Sequence, residues 1–327
     1  MSSLTLDVER QASWTSRVIR HPLFGPLVAL VIAVIAFAVI NPRFLTANNL
    51  SLVLQQSIVI GILAVGQTLV ILTSGIDLSI GAVTVLGTLL MGKLAAQGQV
   101  GLAFIAAMLA CTAAGALNGV LVTRLSLPPF IVTLGTYTMI AAASVLYAGS
   151  QTFPVSRSLL TVLGGQVRVG NVSFTWGILV MLACYAAIWY MLGETAWGKH
   201  VYAVGGNPEA SRLMGIKVPR VLVSIYTAAG FIAFLGAWSA LGRIPNADPN
   251  ALQNANLESI TAVVIGGTSM FGGRGGVLGT LVGTLIVGVL RNGLTLAGVD
   301  NLYQNIATGA LVILAVTVDQ FIRRRNL

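Results

Sequence analysis

Charge is what this chain has least of. Only 8% of its 327 residues are Asp, Glu, Lys or Arg, while 56% are hydrophobic; a soluble domain carries roughly 25% charged residues. With a mean hydropathy of +0.90, the sequence has more apolar surface than a water-soluble fold can hide. Histidine is nearly absent, with His21 and His200 the two present, and the nine carboxylates are scattered along the chain. An enzyme needs converging titratable groups, and both histidines read as solvated or interfacial. The two cysteines, Cys111 and Cys184, lie inside apolar blocks, which excludes a disulfide framework and gives no metal-ligand spacing. Phosphate-binding loops are lacking too. Gly87 to Lys93 (GTLLMGK) and Gly193 to Lys199 (GETAWGK) come near, but Leu94 and His200 stand where the Mg²⁺-ligating hydroxyl belongs, and neither follows a strand.

The apolar residues instead form blocks close to the ~20 residues that a helix needs to cross ~30 Å of hydrocarbon. About ten spans are predicted, at 24–40, 52–73, 78–96, 101–123, 129–149, 174–192, 220–242, 257–272, 276–298 and 303–322. The polar leader with Arg10, Arg17 and Arg20, followed by Ala36-Phe37-Ala38, raises a cleaved signal peptide; the length of the leader favours an uncleaved first helix. The expected class is an all-α integral membrane protein, with a segment 1–23, a membrane domain 24–322 and a basic tail 323–327. Ten spans put both termini on one side. With the termini inside, 12 of the 18 Lys and Arg residues fall in cytoplasmic segments, the bias that cytoplasmic loops carry. The net charge of +9 is thus a matter of membrane orientation, with no nucleic-acid partner implied.

Glycine is abundant, at 37 residues, and small residues let helices approach closely in lipid. Gly115 and Gly119 make one GxxxG step; Gly275, Gly279 and Gly283 make two. Ten spans also divide as five plus five, as inverted repeats do, but the only echo, VLGT at Val85–Thr88 and Val277–Thr280, is read as chance.

Two polar segments interrupt the spans. Residues 149–173 are expected on the periplasmic side. Residues 193–219 are expected on the cytoplasmic side and are longer than a helix hairpin requires. Within them, Asn207-Pro208-Glu209 reads as a helix start, with Asn as N-cap, Pro in the first turn and Glu at the positive end of the dipole. A short helix 208–214 should stop at Gly215. Intramembrane acids are few. Asp77 is read as the cap of a helix starting at Leu78, ahead of a role in a proton or cation relay, and Glu258 as interfacial. A proton- or sodium-coupled carrier would need more such groups, so energy is expected from a partner.

Four stretches carry a resemblance: LVILTSGIDLSIG (69–81), LNGVLVTRLSLPPFIVTLGT (117–136), GKHVYAVGGNPEASRLMGI (198–216) and AVVIGGTSMFGGRGGVLGTLVGTLIVGVLRNGL (262–294). With them the chain resembles the ribose-type permease family of binding-protein-dependent ATP-binding-cassette importers. The resemblance implies a type II-like permease in a bacterial inner (plasma) membrane, with a second permease copy, two cytoplasmic ATPase subunits or one fused double ATPase, and a periplasmic sugar-binding protein. It implies no cofactor in this chain, since ATP and Mg²⁺ are bound by the partners. Gly205, Gly206, Asn207, Pro208, Glu209, Ala210, Arg212 and Gly215 stand at the positions of the helix that docks into the ATPase. For the translocation pathway, weakly polar residues of the central spans are the candidates: Gln67, Thr68, Ser74, Asp77, Ser79, Asn118, Thr133, Thr136, Thr268 and Ser269, with Phe130 and Phe271 as gates. A monosaccharide is the expected cargo, with a nucleoside or branched-chain amino acid as the alternative.

Overall fold

A computed structural model of the chain describes residues 23–170 and 172–325. The leader residues 1–22, His21 among them, and the last two residues of the basic tail lie outside them. The helices in chain order are α1 (Phe24–Ile40), α2 (Ala47–Leu72), α3 (Ile80–Ala96), α4 (Val100–Arg124), α5 (Pro129–Ala148), α6 (Trp176–Glu194), α7 (Ala196–Gly206), α8 (Pro208–Leu213), α9 (Val218–Arg243), α10 (Ala255–Ile265), α11 (Val277–Leu296) and α12 (Asn301–Arg325). Among the described residues six helices, α2, α4, α5, α6, α9 and α11, are long and apolar enough to cross a membrane. Shorter apolar helices lie at Phe24–Ile40, Ile80–Ala96, Ala255–Ile265 and Leu302–Leu314.

Each predicted span meets a helix, and one is corrected in extent. The span expected at 257–272 ends at Ile265, because Gly266 and Gly267 follow and Gly267 adopts a positive φ of 85°, where an L side chain is strained. The class needs amending as well, since four short strands accompany the helices. β1 (Phe153–Pro154) pairs antiparallel with β4 (Asn246–Ala247), and β2 (Gln166–Val169) with β3 (Val172–Thr175). They organise the 149–173 segment as a small cap over one end of the bundle. The Ser51 hydroxyl, at the start of α2, donates to the Ser173 carbonyl and fastens the hairpin there.

α2 is the axis. Every residue from Ser57 to Leu72 is buried, whereas α1 turns Val31, Ile32, Ile35 and Val39 outward, each at least 55% exposed. A helix apolar all round belongs in the centre of a bundle, and one with exposed aliphatic residues at its edge faces lipid. α2 packs against α9, α10 and α11, and α9 packs against α2, α3 and α4. α3 packs on α4 and α5 just as α10 packs on α11 and α12. The block α2–α5 therefore repeats in the block α9–α12, with each long helix seated on the other block. The VLGT echo falls in α3 and α11, which are not equivalent positions, so it plays no part in the repeat.

Close approach rests on glycine where the sequence placed it. A Cβ on Gly115 would overlap the Tyr226 carbonyl oxygen, and one on Gly119 would lie 2.8 Å from the Val223 Cα, so α4 and α9 meet backbone to backbone. Gly279 and Gly283 abut Gly266 and Ala262 in the same way, joining α11 to α10. Gly275 departs from the expected step: it precedes α11 and has φ of 115°, so it belongs to a turn. Cys111 and Cys184 are buried, as core packing requires.

Candidate functional site

After Leu72 the chain does not start its next helix at once. Residues 73–79 double back along α2 without helical structure, and α3 begins with Ile80 packed against Gly66, about 9 Å back from the end of α2 by helix rise. Non-helical backbone inside a membrane bundle needs its amide groups satisfied by protein or by water. The predicted pathway residues do much of that here. The Gln67 side-chain amide faces the Asp77 backbone, donating to its carbonyl at 3.1 Å and accepting from its N–H at 3.3 Å. The Thr133 hydroxyl donates to the Ile76 carbonyl at 2.9 Å. Asp77 Oδ1 accepts from the Ser79 N–H at 2.8 Å and from the Ser79 hydroxyl at 2.6 Å. The same hydroxyl accepts from the Asn118 amide at 2.8 Å.

Asp77 is therefore not the N-cap that the sequence suggested: the helix starts at Ile80, its N-cap position is Ser79, and the Asp77 carboxylate instead holds Ser79 just ahead of it. Being 3% exposed, Asp77 is enclosed by α2, α4 and the break itself. α10 arrives at the same place from the other block. Asn256 in its first turn donates through its side-chain amide to the Leu78 carbonyl at 3.3 Å, and the Gly81 Cβ position lies 3.3 Å from the Asn256 nitrogen. Two short helices therefore bring their N-terminal ends together, with positive partial charge on both. Asn118 Oδ1 and the Tyr226 hydroxyl are buried here without a hydrogen-bond partner among the described residues, and the hydroxyl lies 2.9 Å from the Cβ position of Gly75.

Other pathway candidates lie elsewhere. Thr68 faces Thr280 at 2.8 Å between hydroxyls and locks α2 to α11. Thr136 is buried and donates to the Thr133 carbonyl within α5, while Phe130 is 48% exposed at the start of that helix. Thr268 accepts from the Gly276 N–H at 3.2 Å, and the Ser269 N–H donates to the Arg274 carbonyl at 3.0 Å, so both close the loop 266–276. Phe271, 43% exposed, sits in that loop beside Ser74, whose hydroxyl donates to the Phe271 carbonyl at 2.7 Å. Thr268, Ser269 and Phe271 belong to the end of the bundle that carries α8, and Ser74, in the first turn of the break, joins them there.

Within the 193–219 segment the short helix folds as the sequence predicts, to within a residue. α8 spans Pro208–Leu213; Asn207 accepts from the Ala210 N–H at 2.9 Å as its cap, and Gly215 turns the chain with φ of 86°. Glu209 and Arg212 are exposed on it, as are Leu213 at 89% and Met214 at 81%. α7 was not foreseen. It spans Ala196–Gly206 and is capped by Thr195 through the Gly198 N–H, a signal that Thr-x-x-Gly hid among non-periodic residues. Its Gly205 lies so close to α2 that a Cβ would overlap the Leu72 carbonyl oxygen.

Sequence reasoning also missed the charged pair at the other end. Glu258, expected at an interface, is 7% exposed in the first turn of α10 and bonds Arg291 of α11. It missed, too, a cleft of about 600 Å³ at the cap, lined by Arg157, Ser158, Gln166, Trp176, Gly242 and Pro245. Nothing in their spacing brings these residues together; strand and turn pairing does.

A family model described as the permease component of branched-chain amino acid transport systems matches residues 49–316. The chain is 46% identical over 311 residues to the fructose import permease protein FrcC of Rhizobium meliloti, covering 93% of this chain and 86% of that one. It is 38% identical over 299 residues to the ribose import permease protein RbsC of Bacillus subtilis, covering 90% and 92%. It is 36% identical over 300 residues to the galactose/methyl galactoside import permease protein MglC of Haemophilus influenzae, covering 85% and 88%. No solved structure matches the chain. A match over residues 49–316, holding both helical blocks, the break and α8, means that the chain belongs to the family of transport-system permease components described for branched-chain amino acids, alongside the sugar import permeases.

Proposed function

We propose that the chain is the membrane-spanning permease subunit of an ATP-driven importer for a monosaccharide, working in the inner membrane of a bacterium. In this reading it spans the membrane ten times with both termini cytoplasmic. It pairs with a second permease copy, two ATPase subunits or one fused double ATPase, and a periplasmic binding protein. The observation that carries it is α8: a capped six-residue helix that exposes Glu209, Arg212 and Leu213, with Met214 exposed at its C-cap, while its approach, Gly205, is pressed against the end of the axial helix. A short rigid element suits the transfer of ATPase closure, because a floppy loop would absorb the motion. Lys199, Arg212, Lys217, Arg220 and Arg274 lie on the segments at this end, in keeping with a cytoplasmic face.

The polar part of the break, residues 76–79 with their partners, is the part of the pathway that the sugar meets. Gln67, Asp77, Ser79, Asn118 and Thr133 offer hydroxyls and amides there, a neutral chemistry apart from one carboxylate. An amino acid would call for a matched pair of opposite charges, which favours a sugar among the cargoes that the relatives' names carry. Reconstitution with its ATPase and binding partners tests the reading. Reversing Glu209 and Arg212 in charge should lower both sugar uptake and sugar-stimulated ATP hydrolysis. Unchanged coupling in both variants, or leucine uptake in place of sugar uptake by the native complex, would refute it.

A further inference from the structure

The loop 266–276 has no evident part in docking, yet it is bound into the base of α8. Leu72, the last residue of α2, accepts from the Gly273 N–H at 2.9 Å. Ser74 follows in a left-handed conformation, φ 61°, which a non-glycine residue adopts at a cost. The conformation aims its hydroxyl between two carbonyls, that of Phe271 at 2.7 Å and that of Gly205 at 3.3 Å. A Cβ on Gly272 would overlap the Ser74 hydroxyl, and one on Gly273 would stand 2.9 Å from the Gly206 Cα. On the far side of the loop the Tyr202 hydroxyl of α7 donates to the Gly275 carbonyl at 2.9 Å. Three elements distant in sequence, the end of α2, the end of α7 and the α10–α11 loop, are thus held by close backbone contact at Gly205, Gly206 and Gly273 together with the Ser74 and Tyr202 hydroxyls.

We infer that Ser74 is a positioning residue for energy coupling: it pins the 270–276 loop to the base of α8, so that ATPase closure moves α10 and α11 directly as well as α9. The inference rests on the docking role of α8 proposed above. α9 follows α8 in the chain and would move in any case. α10 is also tied to the base of α8 in space, through this loop, and it is the short helix whose first turn bonds Leu78 at the polar break. The pin therefore gives α8 a second route to the break, from the opposite block. Backbone contacts of this kind have little give, so a displacement at Gly205 is passed on whole.

The test uses the complete complex in liposomes, with permease, ATPase, binding protein and a fructose, ribose and galactose panel. Ser74→Gly accepts the same φ without strain and removes the hydroxymethyl group that makes both bonds. It should leave the ATPase bound and hydrolysis stimulated, while sugar moved per ATP falls about five-fold, the size expected for one lost hydrogen bond. An unchanged ratio overturns the inference, since a residue that only stabilised the fold would scale both activities together. A second measurement on the native complex stands even where the variant fails to fold. Amide exchange in residues 205–214 and 269–276 should slow together when ATP closes the ATPase. Slowing in 205–214 alone overturns the pin and leaves the docking role intact; slowing in neither removes the docking role and the pin with it.

Discussion

Arg291 Nη1 lies 2.8 Å from Oε1 and 2.9 Å from Oε2 of Glu258, so one guanidinium nitrogen holds both oxygens of a carboxylate in the first turn of α10. The two partners are unequally placed: the Glu258 side chain is 9% exposed and that of Arg291 is 56% exposed. Breaking the pair from its two sides is therefore not equivalent. Arg291→Leu strands a buried carboxylate, whereas Glu258→Gln leaves a cation that can turn to solvent. Arg291→Leu should lower thermal stability in detergent more than Glu258→Gln does, and fluorescence-detected gel filtration after heating measures the difference. Equal losses would mean that the carboxylate is not held as the geometry implies.

The α4–α9 contact gives a sharper test. With the Tyr226 carbonyl where a Cβ on Gly115 would go, and Gly230 facing Gly115 across the same contact, neither helix has a flexible side chain that can yield. Gly115→Ala should destabilise by roughly 1–3 kcal/mol, the usual cost of overpacking. Gly101→Ala, where nothing lies within 4 Å, serves as the comparison in the same helix and should be neutral or slightly stabilising by helix propensity. Urea or thermal melts of the purified permease read both.

What the sequence reveals and what it hides divide along a physical line. Apolar length locates helices well: α1 begins and ends at residues 24 and 40 as expected, and α5 differs by one residue. Capping chemistry located α8, because Asn207, Pro208 and Gly215 act on their own neighbours. Relations between distant segments were hidden. Nothing around Glu258 announces Arg291, and nothing in SGIDLS announces that Gln67 and Thr133 will bond its backbone. Even the eighth span misled in extent, since its apolar run continues past Ile265 while the backbone turns at Gly266 and Gly267. Periodicity reports which residues avoid water, and in a bundle wrapped in lipid that says little about which helix lies beside which.

Asp77 can be separated into a shape and a charge. Its Oδ1 accepts from the Ser79 N–H and hydroxyl, bonds that an amide oxygen also accepts. Asp77→Asn should keep uptake within about three-fold, while Asp77→Ala, which leaves the Ser79 N–H without its side-chain acceptor, should cost more than ten-fold, because an unmet buried donor costs about 1–3 kcal/mol. Uptake of labelled sugar, normalised to permease in the membrane, is the measurement. If Asn fails as badly as Ala, the negative charge itself acts in transport and holding Ser79 is not what Asp77 is for.

The last prediction concerns the length of α8. Six residues give too few internal hydrogen bonds for a helix to hold its shape unaided, so the Asn207 side chain, which meets the Ala210 N–H at 2.9 Å, supplies a large part of what keeps it rigid. An Asn-to-Ala change at an N-cap costs about 1 kcal/mol, a small fraction of the stability of a large bundle but a large one for a single exposed turn. Asn207→Ala should leave the melting temperature of the permease almost unchanged and still lower sugar-stimulated ATP hydrolysis several-fold. Asn207→Asp and Asn207→Ser, which restore the acceptor, should recover most of it. The ordering matters more than the size. Recovery by Asp and Ser together points to the cap, recovery by neither points to direct recognition of the Asn amide by the ATPase, and a fall in melting temperature that matched the loss of activity would show that α8 is held by the bundle and not by its own cap.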